Sequence, residues 1–288
     1  MSIWTDLMGC EVRYYGKKYR TRVIEAGTGD PLILIHGVGG HAEAYSRNIR
    51  RLGQHCRSMA IDLVWHGFSS KPPYNNRSIE TYGDQLLDLA DALGAPKINI
   101  EGESLGGWVA MWFALNHPDR LGKLILNTTA GIRYGSGVEE RPETGVNLLR
   151  ERSLAAINNP NRETVRKRLE WLMAKPERVT DELVEVRYQI YTEPETKRAL
   201  TDVFSNSFGG GDSAKAYLTE DQVRQIRTPT LVLWSDKNPG HGPDAGRRVA
   251  DLIPGAGFVC INDAAHWPQW EQPEAHDSAV IDFLTKKN

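Results

Sequence analysis

The stretch Lys97-Ile98-Asn99-Ile100-Glu101-Gly102-Glu103-Ser104-Leu105-Gly106-Gly107 decides how this chain folds. A short apolar-alternating run, Lys97–Glu101, reads as a strand. Leu105–Asn116, closed by His117-Pro118, reads as a helix. Between them lies Gly102-x-Ser104-x-Gly106. A strand that turns sharply into a helix needs glycines where side chains would collide. Such a turn pushes the Ser104 hydroxyl out at the carboxyl end of the sheet. The helix start adds unpaired N–H groups and a positive dipole end beside it. A glycine-rich turn with a capping serine is the bland alternative, and the flanking strand and helix argue against it.

The same strand–helix alternation extends outward. Pro31–Ile35 is wholly apolar and suits a strand covered on both faces. Ser58–Leu63, Leu121–Leu126, Pro229–Trp234 and Gly257–Asn262 read as further strands, and residues 11–35 open with a hairpin. In Tyr82–Leu93, Leu86, Leu89, Ala90 and Leu93 recur at helical spacing, with Gly94 as a stop. Helices are also expected at Gly246–Leu252 and Ala275–Lys286. The pattern predicts an α/β fold with a mostly parallel sheet. Residues 132–225 break it with charged helical stretches and glycine-rich breaks at Gly135-Ser136-Gly137 and Gly209-Gly210-Gly211. The expected division is a core of 1–131 plus 226–288 and a helical insertion of 132–225.

Composition narrows the function. The chain has 288 residues, 35 Lys+Arg against 37 Asp+Glu, and 40% hydrophobic residues. A net charge of −2 gives no basic excess for nucleic acid or an anionic membrane. No apolar run is long enough to span a bilayer. The start, MSIWTDLMGC, lacks a basic and then apolar leader, so a cytoplasmic location is expected. Cys10, Cys56 and Cys260 are too few and scattered for a disulfide framework or a zinc site. No metal motif and no cofactor motif is present. The partner expected is a small molecule.

His36-Gly37-Val38-Gly39-Gly40 follows the first apolar strand. A glycine-lined loop there lets the Val38 N–H, with that of Leu105, face a developing oxyanion. No phosphate-binding pattern accompanies it. Among eight histidines, His266 stands in the loop after the last strand, at the same sheet edge as Ser104. In folds with this turn the order is nucleophile, acid, histidine. His241 lacks an orienting strand, and His276 falls within the terminal helix, where a solvent-facing position is expected. The acid must hold the imidazole tautomer. Asp236 is the carboxylate in the loop after Trp234; Asp244 reads as a helix start and Asp263 is too near His266. His66 is expected to be exposed, Cys260 a buried filler, and Trp108, Trp112 and Phe113 core.

Together these segments resemble the α/β-hydrolases and, more narrowly, the meta-cleavage-product hydrolases, which break carbon–carbon bonds. HGVGG, Asp62…His66-Gly67…Ser69, GESLGG, the helical insertion and His266-Trp267-Pro268-Gln269-Trp270-Glu271 carry the likeness. The resemblance implies an α/β-hydrolase fold, no cofactor, and often a homodimer or larger homo-oligomer. It implies a site in which Trp267, after the histidine, and Arg187, in the lid, meet the substrate. Unaided, Arg187 reads as an exposed helix arginine. The sequence also departs from the family. The family's acid position is Asn238, which can orient an imidazole but not stabilise imidazolium by charge. In a serine protease that change costs about 10⁴ in rate. Glu103 stands where many of these hydrolases carry Asn. The substrate implied is a 2-hydroxy-6-oxo-hexa-2,4-dienoate; a carboxylesterase, or a non-catalytic ligand-binding relative, are the other readings.

Overall fold

Strand formation follows the apolar runs. A computed structural model describes residues 2–138, 145–207 and 216–286. The main sheet has eight strands: β1 (Glu11–Tyr15), β2 (Thr21–Ala26), β3 (Pro31–Ile35), β4 (Arg57–Ile61), β5 (Ile98–Glu103), β6 (Leu121–Asn127), β9 (Thr230–Ser235) and β10 (Gly257–Ile261). A separate two-residue pair joins β7 (Ile132–Arg133) and β8 (Leu218–Thr219). The strand order is β1-β2-β4-β3-β5-β6-β9-β10. The β1–β2 and β2–β4 pairs are antiparallel, and the rest are parallel. Leu32, Ile33, Leu34 and Ile35 are fully buried, as a strand covered on both faces requires.

Register places the chemistry. Ile35 pairs with Gly102, Glu103 with Asn127, and Ser235 with Ile261. The loops after β3, β5, β9 and β10 therefore leave from one edge, where open α/β sheets bind ligands.

Helices cover both faces. In chain order they are α1 (Ile3–Asp6), α2 (Ser46–Leu52), α3 (Ser78–Ala92), α4 (Leu105–Asn116), α5 (Val146–Asn158), α6 (Arg162–Glu170), α7 (Asp181–Thr192), α8 (Pro194–Ser207), α9 (Glu220–Val223), α10 (Pro243–Leu252), α11 (Pro268–Glu271) and α12 (Pro273–Thr285). The α4 helix is apolar around most of its circumference and buries Trp108, Val109, Met111 and Phe113. Its neighbour α3 carries Gly83, where an added Cβ would lie 2.1 Å from the Trp112 ring, so the close approach needs glycine. Helices α5 to α8 sit over the carboxyl edge. Asn161 caps α6 through the Thr164 N–H, and Thr180 caps α7 through the Leu183 N–H. Val165, Leu169, Leu183 and Val184 on these helices are buried. The glycine run at 209–211 lies outside the described residues. No helix among the described residues is long and apolar enough to cross a membrane.

Several expectations are corrected. The strand through Ile100 continues to Glu103, so it runs directly into the turn at Ser104. His66 is fully buried, because Trp65 takes a φ of 67° and folds the loop back, leaving His66 Nδ1 2.9 Å from the Val64 carbonyl. Cys260 is only half-buried, since β10 is an edge strand.

His276 is fully buried as well, contrary to its expected solvent position. Its Nε2 lies 2.7 Å from Glu101 Oε1 and its Nδ1 2.9 Å from Asp277 Oδ1. Burial opposes charge on the ring, but Glu101 and Asp277 overcome it and push His276 up to about 10. A raised folded-state pKa binds protons that the unfolded chain releases. The stabilisation is thus complete below about pH 6.5 and lost as pH rises towards 10. The Tm advantage of wild type over His276→Gln is expected to shrink from about pH 6.5 to about pH 9.5. A constant difference across that range would contradict this account.

Candidate active site

Ser104 sits at the mouth of α4 with φ 53° and ψ −112°, a backbone region that non-glycine residues rarely occupy. Close packing enforces it. A Cβ on Gly102 would lie 2.2 Å from the Gly106 carbonyl oxygen, and one on Gly106 would lie 2.4 Å from the Ile35 carbonyl oxygen. The Ser104 N–H donates to Asn127 O at 3.1 Å, and the Ser104 carbonyl accepts from Trp108 and Ala130. These bonds fix the turn and leave the hydroxyl facing two adjoining cavities.

His266 lines both cavities with Ser104. Its backbone N–H donates to Leu172 O at 2.9 Å, and Thr128 Oγ1 donates to its carbonyl at 2.9 Å. The Trp171 ring packs edge-on, 5.1 Å between centroids. Burial, aided by the Arg168 charge, lowers His266 to about 3, so the ring is neutral at ordinary pH.

The orienting group is Asn238, not Asp236. Asn238 Oδ1 lies 2.7 Å from His266 Nδ1, and Asn238 Nδ2 donates to His241 O at 2.8 Å. The second bond turns the amide oxygen towards the ring, so His266 donates its Nδ1–H and keeps a lone pair on Nε2. The expectation for Asp236 is corrected. Its Oδ1 accepts the Ala264 N–H at 3.2 Å and its own N–H donates to Ile261 O, so it braces the loop between β10 and His266. One residue of turn, Lys237, separates the brace from the orienter.

In the loop after β3, no hydrogen bond within the described residues occupies the Val38 or Leu105 N–H. Gly37 is different: its N–H donates to Glu103 Oε2 at 2.6 Å. The Gly39 carbonyl accepts from Tyr191 Oη at 2.8 Å, and the Val38 carbonyl from Arg168 Nη2 at 3.3 Å. Helices α6 and α7 thus hold the loop's shape.

The cavities differ in character. One, of about 140 Å³, is walled by Tyr134, Trp171, Tyr217 and Trp234. The other is lined by Glu103, Arg168, Arg187 and Trp267. Arg187 is fully buried, against its reading as an exposed helix arginine. Its Nε approaches His41 Nε2 at 3.4 Å, and its guanidinium carbon lies 5.2 Å from the Trp267 ring centroid. Neither Nη1 nor Nη2 has a hydrogen-bond partner among the described residues, and Arg168 Nη1 has none either. Buried donors without acceptors are costly.

Sequence reading missed Arg168 and the contacts of Glu103. In Arg162–Glu170 four of nine residues are basic. Arg168 is distinguished only by sharing a face with the buried Val165 and neighbouring Leu169. Among the described residues no group of three or more His, Cys, Asp or Glu side chains could hold a metal ion.

Residues 30–273 match the family model described as the alpha/beta hydrolase fold. The chain belongs to the α/β-hydrolase family. This α/β-hydrolase is 27% identical over 273 residues to a 2-hydroxy-6-oxo-2,4-heptadienoate hydrolase of Pseudomonas putida, covering 93% of this chain and 94% of that one. It is 28% identical over 275 residues to a 2-hydroxymuconate semialdehyde hydrolase of Pseudomonas putida, covering 93% and 92%. Among solved structures it is similar to the meta-cleavage product hydrolase of Pseudomonas fluorescens IP01. The TM-score is 0.81 at 25% identity, over 96% of this chain and 98% of that one. These relatives match nearly the full length of this chain.

Proposed function

We propose that this α/β-hydrolase is a serine-dependent enzyme that cleaves the carbon–carbon bond of a 2-hydroxy-6-oxo-hexa-2,4-dienoate. The observation that carries this is the division of the site about Ser104. Buried arginine donors line one side and aromatic rings the other. A molecule with a carboxylate at one end, a ketone in the middle and an apolar substituent at the other matches that division. The acid in one relative's name, 2-hydroxy-6-oxo-2,4-heptadienoate, carries a carboxylate, a C6 ketone and a terminal methyl group.

The chemistry follows from the groups available. Arg187 pairs with the carboxylate, Arg168 adds a second positive charge, and Trp267 walls that end. The dienol ketonises, which makes the departing carbon a stabilised carbanion. His266 Nε2 takes the Ser104 proton or that of a water, and the oxygen adds to the C6 ketone. The Val38 and Leu105 N–H groups hold the oxyanion. On collapse the carbon–carbon bond breaks, its electron pair passes through the conjugated chain to the C2 oxygen of the leaving group, and that oxygen takes the proton from His266. Water supplies the hydroxyl of the released carboxylic acid, and the other product is a 2-hydroxydienoate.

The division into a core and a lid at 132–225 is part of this reading, with the lid delivering both arginines. A carboxylesterase using only the aromatic side is the second reading, favoured by the narrowness of the arginine-lined cavity. Ring-fission dienoates bearing methyl, phenyl or carboxyalkyl groups at C6 test the choice. Their visible absorbance is expected to disappear with enzyme. Hydrolysis of neutral p-nitrophenyl esters alone would favour the esterase. If wild type and Ser104→Ala are equally inert on both sets, the chain is a ligand-binding relative.

A further inference from the structure

Triad histidines ordinarily have a carboxylate behind Nδ1 to stabilise the imidazolium. Here Nδ1 meets the uncharged Asn238 amide. A carboxyl group stands on the other side of the ring instead. Glu103 Oε1 lies 3.2 Å from His266 Nε2. Glu103 is fully buried, its Oε2 is held by the Gly37 N–H at 2.6 Å, and its Oε1 has no aligned hydrogen-bond partner among the described residues. It is the last residue of β5, so the same backbone that fixes Ser104 fixes this carboxyl group.

We propose that Glu103 is the positioning carboxyl group of His266, supplying from the nucleophile side the negative charge that Asn238 cannot supply. The inference rests on Ser104 as nucleophile and His266 as base. While protonated, Glu103 can direct its Oε1 proton at the Nε2 lone pair and so compete with the Ser104 hydroxyl. Once that proton leaves to solvent, Nε2 is free to take the Ser104 proton. The imidazolium then forms beside a carboxylate. When His266 passes the proton to the leaving group, neutral imidazole and carboxylate remain, ready for the next cycle.

The groups facing Glu103 set where this happens. Burial raises its pKa. The Gly37 N–H, Arg168 from α6, Arg187 from α7 and the Trp267 side chain oppose the rise, leaving Glu103 at about 8. His266 faces it from the loop after β10, and Tyr45, itself raised well above its usual value, from the segment after the glycine loop. The free enzyme is therefore expected to gain kcat/KM as pH rises through about 8.

Three measurements test the proposal. In Glu103→Gln the rise near pH 8 is expected to vanish, with kcat above it reduced on the order of 10²-fold. In an Asn238→Asp background, where a carboxylate stands behind Nδ1, Glu103→Gln is expected to cost less than about threefold. Equal losses in both backgrounds would mark Glu103 as merely structural and overturn the proposal. Imidazole ¹⁵N NMR of the wild-type protein needs neither turnover nor a folded variant. The His266 Nε2 signal is expected to shift with an apparent pKa near 8. A flat signal there overturns the proposal even if dienoates are cleaved. A Ser104→Ala protein as active as wild type would instead overturn the hydrolase reading, and the NMR titration would still report on the pair.

Discussion

Ser104→Ala is expected to lower dienoate turnover by three orders of magnitude or more, roughly the range seen when a serine nucleophile is removed from a hydrolase. The mutation deletes one oxygen and keeps the turn, because φ 53° is imposed by Gly102, Gly106 and the hydrogen bonds to Asn127, Trp108 and Ala130. Binding should survive, since the arginines and the aromatic wall are untouched. The expected pattern is a collapsed kcat with KM changed little, read from the loss of dienoate absorbance. If His266 activates water without help from Ser104, kcat will fall far less. A kcat within about tenfold of wild type would exclude Ser104 as the attacking group.

The second large effect concerns Arg187. Removing a buried charge from its partner typically costs about 2–5 kcal/mol, roughly 30- to 4,000-fold in kcat/KM for a carboxylated dienoate. Arg187→Met should show that loss while hydrolysis of a neutral ester changes little. The stability should move the other way. In the free protein Arg187 Nη1 and Nη2 have no hydrogen-bond partner among the described residues, and burial pulls its pKa down. A methionine of similar length removes that penalty, so Tm is expected to hold or rise. Sites shaped for a ligand often carry such instability. A lowered Tm with unchanged selectivity for the carboxylate would make Arg187 a structural residue.

These two residues also show what a sequence can and cannot carry. Ser104 was legible because its geometry is local: a strand, glycines at fixed offsets, and a helix are all within a dozen residues. His266 was legible because a loop after a strand leaves the sheet at a known edge. Most of the parallel strand pattern followed from short apolar runs for the same reason. Arg187 was not legible from the residues alone. Its helix is amphipathic in the ordinary way, and its burial depends on contact with His41 and Trp267, far away in sequence. His276 failed likewise, since a polar residue in a terminal helix looks solvated until Glu101 is placed beneath it. The choice between Asp236 and Asn238 turned on two residues of loop. It was decided by whether the side chain reaches Ala264 N–H or the His266 ring. Glu103 was visible as an oddity beside the serine, but its distance to Nε2 exists only in three dimensions.

All of this depends on an alcohol made nucleophilic by a neutral imidazole at one rim of the sheet. A fluorophosphonate probe reads that directly, because it bonds only to an activated hydroxyl. After labelling and digestion, mass mapping should find the phosphonyl adduct on the peptide bearing Ser104 and lose it in His266→Ala. A wild-type protein that stays unmodified at Ser104, or is modified elsewhere at equal rate, would contradict the account.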